Sequence, residues 1–135
     1  MSLRTNARNR KAQSLIEVLA GAMVFLVPIS LAALDLSVML VANSANDHLV
    51  KNVARAAADQ DSQVKALDAA KQCLAKFPKS SIIVDVELDG GLDYQDDQQV
   101  AVKTVMIVKL PVSLGGELKF HALAVEPLVA KPSDV

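Results

Sequence analysis

Two carboxylates lie in or next to a long apolar stretch of the sequence. They are the side chains there that could form ion pairs or exchange protons. Glu17 immediately precedes the run from Val18 to Ala42, in which Asp35 is the one charged residue. On a single helix the two acids would lie about 27 Å apart, since a helix rises about 1.5 Å per residue. A carboxylate close to hydrocarbon is costly, most of all at the centre of a bilayer. We therefore expect Glu17 to have a partner, and Asp35 to be either an interface residue or a residue that pairs with a neighbouring subunit.

The other residues that could act as bases, nucleophiles or metal ligands are scattered along the chain. His48 and His121 fall at positions expected to be exposed, and Cys73 lies on the apolar side of a helical pattern, as a small buried side chain would. Three acids crowd one loop without the Asp-x-Asp-x-Asp-Gly spacing that wraps a calcium ion: Asp93, Asp96 and Asp97. We therefore expect no enzymatic activity, no metal site and no cofactor.

The run from Val18 to Ala42 is long enough to cross a membrane. About 20 apolar residues span a hydrocarbon core of about 30 Å, so a helix over this run would span it with some tilt. A buried helix of a soluble protein is the competing interpretation, and it would have to hide every face within a chain of 135 residues. Pro28 interrupts the run, but membrane helices tolerate proline because neighbours and local adjustments satisfy the freed carbonyl. We predict a transmembrane helix over residues 13–42.

Basic residues precede Glu17 and acidic residues do not. They are Arg4, Arg8, Arg10 and Lys11. Basic residues stay on the cytoplasmic side, which predicts an N-terminus inside and a C-terminus outside, and residues 1–12 are interpreted as a leader that is no part of the fold. This leader holds four of the 14 basic residues and none of the 15 acidic ones. The remaining acidic chain is a poor partner for nucleic acid.

The residues around Glu17 resemble the class III signal of type IV pilin-like proteins. A short basic leader ends at the small residue Ala12, and Gln13-Ser14-Leu15-Ile16-Glu17 and the apolar run follow. In that family a membrane-embedded prepilin peptidase cuts after the small residue, and a glutamate occupies mature position five. The resemblance implies cleavage between Ala12 and Gln13. It also implies that the Glu17 carboxylate pairs with the position-one amine, that of Gln13, of an adjacent subunit.

Asp35 and the alanine-rich segment 51–58 are similar to the TadE-like branch, the minor pilin-like proteins of tight-adherence pilus systems. The pattern of that branch is an acid about five turns after the first glutamate, followed by an alanine-rich helix that carries arginine. The resemblance implies an assembly role for Gln13, Glu17 and Asp35. Its implied partners are a prepilin peptidase, other pilin or pseudopilin subunits and the pilus-assembly machinery. A type II secretion pseudopilin is the nearest alternative, and an aromatic residue at position 13 would have favoured it.

Beyond the apolar run the helical pattern continues and becomes amphipathic. Residues 43–60 are predicted to form a stem that extends the membrane helix outward, with Leu49, Val50, Val53 and Ala57 on one stripe. Asp61 or Ser62 is predicted to cap a second helix that Pro78 stops. The apolar stripe of this second helix is predicted to contain Val64, Leu67, Ala70, Leu74 and Phe77.

After Pro78 the apolar period changes from about 3.6 to 2, which indicates strands. We predict strands over residues 81–88, 100–110 and 118–125, with turns at 89–98 and at Gly115-Gly116. Strands this close should pair antiparallel, with helix 62–77 covering their apolar face. The predicted fold is α+β: a long N-terminal transmembrane helix with an amphipathic stem, a second short helix and a small three-stranded antiparallel sheet. Residues 61–135 form the head in this scheme.

These patterns predict a structural or assembly subunit, a minor pilin or pseudopilin of a bacterial pilus. It would be a single-pass protein of the cytoplasmic membrane with an extracytoplasmic head, or would be incorporated in a cell-surface pilus. Two alternatives stay open: a membrane-anchored domain that binds a partner, and a secreted domain. For the secreted domain, residues 18–27 would be the apolar region of a signal peptide, with cleavage after Ser30-Leu31-Ala32.

Overall fold

The computed structural model of the protein describes the backbone of residues 3–95, 98–112 and 116–129, and the side chains of these residues from Gln13 onward except that of Gln95. Asp96, Asp97 and Gly115, which the sequence assigns to turns, lie outside the described residues. The fold is α+β, with a long apolar N-terminal helix, a second short helix and a three-stranded antiparallel sheet. This confirms the predicted fold class.

Helix α1 (Leu3–Ala58) is one continuous element of 56 residues. The predicted membrane helix and stem are therefore a single helix, about 84 Å long at about 1.5 Å per residue, with Pro28 inside it. Every residue from Gln13 to Leu34 is exposed, and the most apolar window of α1 has a mean hydropathy of 2.3 with none of it buried. This part of α1 covers no core within the chain, which argues against the buried-helix interpretation. It is long and apolar enough to span a membrane.

The second half of α1 has one buried stripe. Its members are Ala42, Asn46, Leu49, Val50, Val53, Ala54, Ala57 and Ala58. Their spacing of three or four residues keeps them on one face of the helix. The stem therefore has the amphipathic pattern that was predicted, and the four residues predicted for its stripe are all buried. Arg55, on the opposite side, lies 3.4 Å from Glu126 of the head.

Helix α2 (Gln63–Ala75) begins after Ser62, whose Oγ accepts a hydrogen bond of 3.4 Å from the backbone N–H of Lys65. Ser62 is thus the N-cap, and Asp61 instead forms an ion pair with Lys65 at 2.9 Å. The prediction that Val64 belongs to the buried stripe is wrong, since Val64 is 74% exposed. The buried residues of α2 are Ala66 and Ala70, because the face that meets α1 is the one with the smallest side chains.

Three strands form the sheet in the order β1-β2-β3: β1 (Ile83–Gln95), β2 (Gln99–Lys109) and β3 (Glu117–Pro127). Both pairings are antiparallel, as predicted. The prediction of a wide turn from Asp89 is wrong, because β1 continues through Gly90 and Gly91 to Gln95. The pairing register shifts between Leu88 and Leu92, and the two glycines have φ of 83° and 89°, a conformation that glycine adopts without strain. The segment is a β-bulge.

The sheet packs on the stem of α1 and not chiefly on α2. Helix α1 contacts β2 and β3, whereas α2 packs beside α1 and reaches the sheet mainly at β1. The inner face of β2 is buried against α1 through Val100, Val102, Met106 and Val108. The prediction that helix 62–77 covers the sheet is therefore wrong. The longer apolar stripe lies on the stem, and the stem takes the central position.

Candidate functional site

Asp35 lies where α1 meets the head. It is half-buried, and its Oδ1 accepts a hydrogen bond of 3.2 Å from the backbone N–H of Val112, in the β2–β3 connection. A hydrogen bond to a charged carboxylate is stronger than one between neutral groups. Asp35 therefore has a partner within its own chain, and this hydrogen bond holds the β2–β3 connection against α1. A pairing role with a neighbouring subunit stays a prediction.

Glu17 has the opposite surroundings. It is exposed and is the one charged residue from Gln13 to Leu34, a segment that is exposed on all sides. Among the described side chains it has no ion-pair partner. Gln13 lies one turn before it on the same helix, also exposed. The helix thus has one carboxylate near the start of an apolar segment that is exposed on every side and that the rest of the described chain does not cover.

The two acids predicted to act in assembly, Glu17 and Asp35, are not brought together within one chain. Glu17 and Asp35 remain about 27 Å apart, because α1 is continuous between them. The predicted cleavage point between Ala12 and Gln13 lies within the backbone of α1. Any pairing of Glu17 with Asp35 must therefore join different subunits.

A buried polar network that the sequence analysis missed connects the stem to the sheet. Asn46 and Thr104 are both fully buried. The Asn46 Nδ2 donates to the carbonyl oxygen of Phe120 at 2.9 Å, and the Thr104 Oγ1 donates to the Asn46 Oδ1 at 2.9 Å. A signal was present, because Asn46 is a polar residue spaced for the stem's apolar stripe, four residues after Ala42. Its partners lie 58 and 74 positions away, so the sequence could not name them.

A cavity of about 330 Å³ lies beside α1 just above the exposed apolar segment. We call it the junction cavity. On one side it is lined by Leu34, Val38 and Val41 of α1, and on the other by Ser80, Ile82 and Ile83. It presents very little polar surface, and its two serines make hydrogen bonds within the chain: Ser37 donates to the carbonyl of Ala33, and the Ser80 Oγ accepts from the N–H groups of Ile82 and Ile83. The cavity is therefore apolar.

The outer face of the sheet is polar around the bulge. The Nδ1 of His121 lies 3.3 Å from the Oδ2 of Asp89, which joins β3 to β1 across β2. A second cavity, of about 290 Å³, is lined by Asp89, Gly91, Asp93 and Lys103 among others. Both histidines are exposed, as predicted, although the contact with Asp89 was not foreseen. The contact is exposed to solvent.

Among the described residues of the head, three groups have a shifted pKa. A hydrogen bond from Lys79, 2.7 Å away, and another from the backbone N–H of Val86 hold the pKa of Asp85 below its ordinary value. Lys65 lowers the pKa of Asp61 in the same way. Burial raises the pKa of Tyr94, whose hydroxyl lies out of contact with water and has no hydrogen-bond partner among the described residues. These shifts arise from scattered contacts that do not form one site.

The described part of the chain holds no group of three or more His, Cys, Asp or Glu residues that could bind a metal ion. Cys73 is a free thiol, half-buried against the core. The features that stand out are therefore surfaces: the exposed apolar half of α1 with Glu17, and the junction with Asp35 and its cavity. No family model, curated protein or solved structure matches the chain.

Proposed function

We propose that the chain is a structural or assembly subunit of a bacterial pilus or pilus-like secretion machine, a minor pilin or pseudopilin of the TadE-like kind. One observation carries the proposal: a single helix presents a fully exposed apolar half with one carboxylate near its start, and carries a folded head on its other half. A helix that is apolar on every side belongs in lipid or among other helices. In a pilus it would have both environments, first the membrane and then the packed shaft.

Glu17 is the residue that would guide this transfer. Removal of residues 1–12 by a prepilin peptidase would leave the amine of Gln13 at the start of the helix. Two opposite charges at about 4 Å interact several times more strongly in a low-dielectric medium than in bulk water. A carboxylate among apolar helices is costly unless it is paired. An adjacent subunit that offers its Gln13 amine would satisfy Glu17 and set the stagger between the two helices.

The first test is the intact mass and N-terminal residue of the protein recovered from its native membrane. The proposal expects a mature chain that starts at Gln13. An uncut N-terminus would instead indicate a plain membrane anchor and would contradict prepilin processing.

The second test compares two variants that each remove one exposed acid from α1. Glu17→Ala should insert in the membrane normally and be lost from the sheared pilus fraction. Asp47→Ala, on the polar side of the stem, should be incorporated like the native chain. Equal incorporation of both variants would show that Glu17 has no role in assembly.

A secreted domain is the second candidate, and one observation favours it. The contacts of the head with α1 begin at Leu34 and Asp35, after the alternative cleavage site at Ser30-Leu31-Ala32. Cleavage there would release a head with its contacts to the stem intact. A chain that starts near Ala33 and separates from membranes would establish this candidate in place of the first.

A further inference from the structure

We infer that the base of the head is seated in the outer leaflet of the membrane that α1 crosses, and that a lipid acyl chain fills the junction cavity. The base of the head consists of residues 80–83 and 110–112, which lie against α1 at the junction. The inference rests on α1 spanning a membrane and does not depend on a role in a pilus.

The length of the apolar run places the outer boundary of the hydrocarbon at the junction. With Glu17 at the cytoplasmic boundary, a core of about 30 Å takes up about 20 residues. The helix then leaves the hydrocarbon near Ser37, and any tilt moves this point further along the chain. The head already touches α1 at this depth, because Asp35 accepts a hydrogen bond from Val112 and Leu34 lines the junction cavity.

Apolar side chains surround the helix at the same level. Leu36 and Leu40 are 57% and 65% exposed, and Val41 is 69% exposed. On the head, Ile82 is also exposed at the rim of the cavity. The first polar residues of α1 beyond this level are Asn43 and Ser44. Transfer of apolar surface from water to lipid is favourable by about 25 cal/mol per Å². These exposed apolar side chains therefore favour immersion of the base of the head in lipid.

The cavity itself is continuous with the lipid-facing surface of α1. Leu34, Val38 and Val41 share one helix face, and the same face continues downward through Leu31 and Val27. An acyl chain that lies along α1 would therefore pass from the bilayer directly into the cavity. A water molecule there would find few polar partners, because the lining is almost entirely apolar and the Ser37 hydroxyl and the Ser80 Oγ each already make a hydrogen bond within the chain. Hydrocarbon is the occupant that this lining suits.

Single tryptophans can test the depth of the base, because the native chain contains none. The variants Ile82→Trp and Leu123→Trp both replace an exposed apolar strand-region residue, one at the cavity rim and the other on the outer face of β3. Leu26→Trp places a reporter within the predicted span. Each full-length variant is reconstituted in phosphatidylcholine vesicles whose acyl chains carry bromine, a contact quencher, and is titrated separately with aqueous iodide. Far-ultraviolet circular dichroism confirms that each variant is folded.

The inference predicts that the tryptophans at positions 82 and 26 lose most of their emission to brominated chains and little to iodide, whereas the tryptophan at position 123 shows the reverse. The inference would be overturned if iodide quenched the tryptophans at positions 82 and 123 to the same extent. If bromine still quenched the tryptophan at position 26 in that case, the membrane span itself would stand. The tryptophan at position 82 could instead be shielded from both quenchers and become accessible to them when the reconstituted protein is diluted with excess lipid. That result would show that a second protein chain fills the cavity and that the lipid assignment is wrong. Failure of bromine to quench position 26 would remove the span, and the inference with it.

Discussion

At the scale of single residues, Asn46 is the side chain that links the stem to the sheet through two hydrogen bonds. Its carboxamide satisfies the Phe120 carbonyl and the Thr104 hydroxyl in a fully buried site. The variant Asn46→Ala would leave both groups without a partner. Because each buried polar group left unsatisfied costs about 1–3 kcal/mol, we expect a loss of at least that size in the free energy of unfolding. Chemical denaturation in detergent micelles, followed by circular dichroism, measures it.

The control for this variant is Asn52→Ala, which removes an exposed asparagine from the same helix. A surface substitution of this kind changes stability by about 0.5 kcal/mol or less. If the two variants unfold at the same denaturant concentration, the network contributes nothing beyond what an exposed amide does.

Tyr94 provides a titration that reports one residue, since the chain has a single tyrosine. Burial raises the pKa of its hydroxyl above the ordinary value of 10.0, so the folded state favours the protonated form. The contribution of the protonated Tyr94 hydroxyl to the free energy of unfolding is fully present below pH 10. It is lost as the pH rises through the raised pKa. We expect the tyrosinate absorbance to appear at a higher pH in the folded protein than in denaturant.

The variant Tyr94→Phe keeps the ring and removes the unpartnered hydroxyl. Below pH 10 it should be as stable as the native chain or more so, because no buried hydroxyl remains to be satisfied. Above pH 10 it should lose less stability than the native chain. Coincident tyrosinate titrations in the folded and denatured protein would contradict the assigned burial.

At the scale of elements, the contact between α1 and α2 depends on alanine. Ala54 and Ala57 of α1 and Ala66 and Ala70 of α2 are buried almost completely, and the two helices pack against each other. Small side chains at a helix contact allow a short interaxial distance. The variant Ala70→Leu should therefore reduce the free energy of unfolding by about 1–3 kcal/mol through overpacking. Ala75→Leu makes the same change at an exposed position of α2 and should be close to neutral. Equal stability of both variants would mean that the helix contact is loose enough to accept a larger side chain.

The elements also show what local patterns can and cannot predict. The period of the apolar residues gave the stem, the three strands and their antiparallel order, because these depend on spacing within each segment. It placed a turn at Asp89-Gly90-Gly91, where β1 in fact continues. Adjacent glycines are a strong turn signal, but residues 99–102 of β2 offer pairing partners for Leu92–Gln95, so the glycines form a bulge instead. The stem and α2 are both amphipathic, and the spacing of their apolar residues alone could not decide which one covers the sheet.

At the scale of the whole molecule, the candidate site also has a part that the sequence could predict and a part that it could not. Glu17, Gln13 and the apolar run could be identified from the sequence because they are contiguous. The partner of Asp35 could not, since Val112 lies 77 positions away, and the junction cavity joins residues 34–42 to residues 80–83. The structure also changes the meaning of the stem. It is a continuation of the exposed apolar segment of α1 and, at the same time, a central part of the core of the head.

This double role predicts where the chain can be divided. A fragment of residues 35–135 keeps Asp35 and the whole buried stripe of the stem, so it should unfold cooperatively in denaturant without the exposed apolar segment of α1. A fragment of residues 59–135 lacks Val50, Val53 and Ala57, which are buried in the same core as the inner face of β2, and it exposes that face. A sheet of three strands needs a packed face to be stable on its own. We therefore expect the shorter fragment to show no cooperative transition and to aggregate. Cooperative unfolding of residues 59–135 would show that α2 alone can complete the core, and that the stem serves only to connect the head to its anchor.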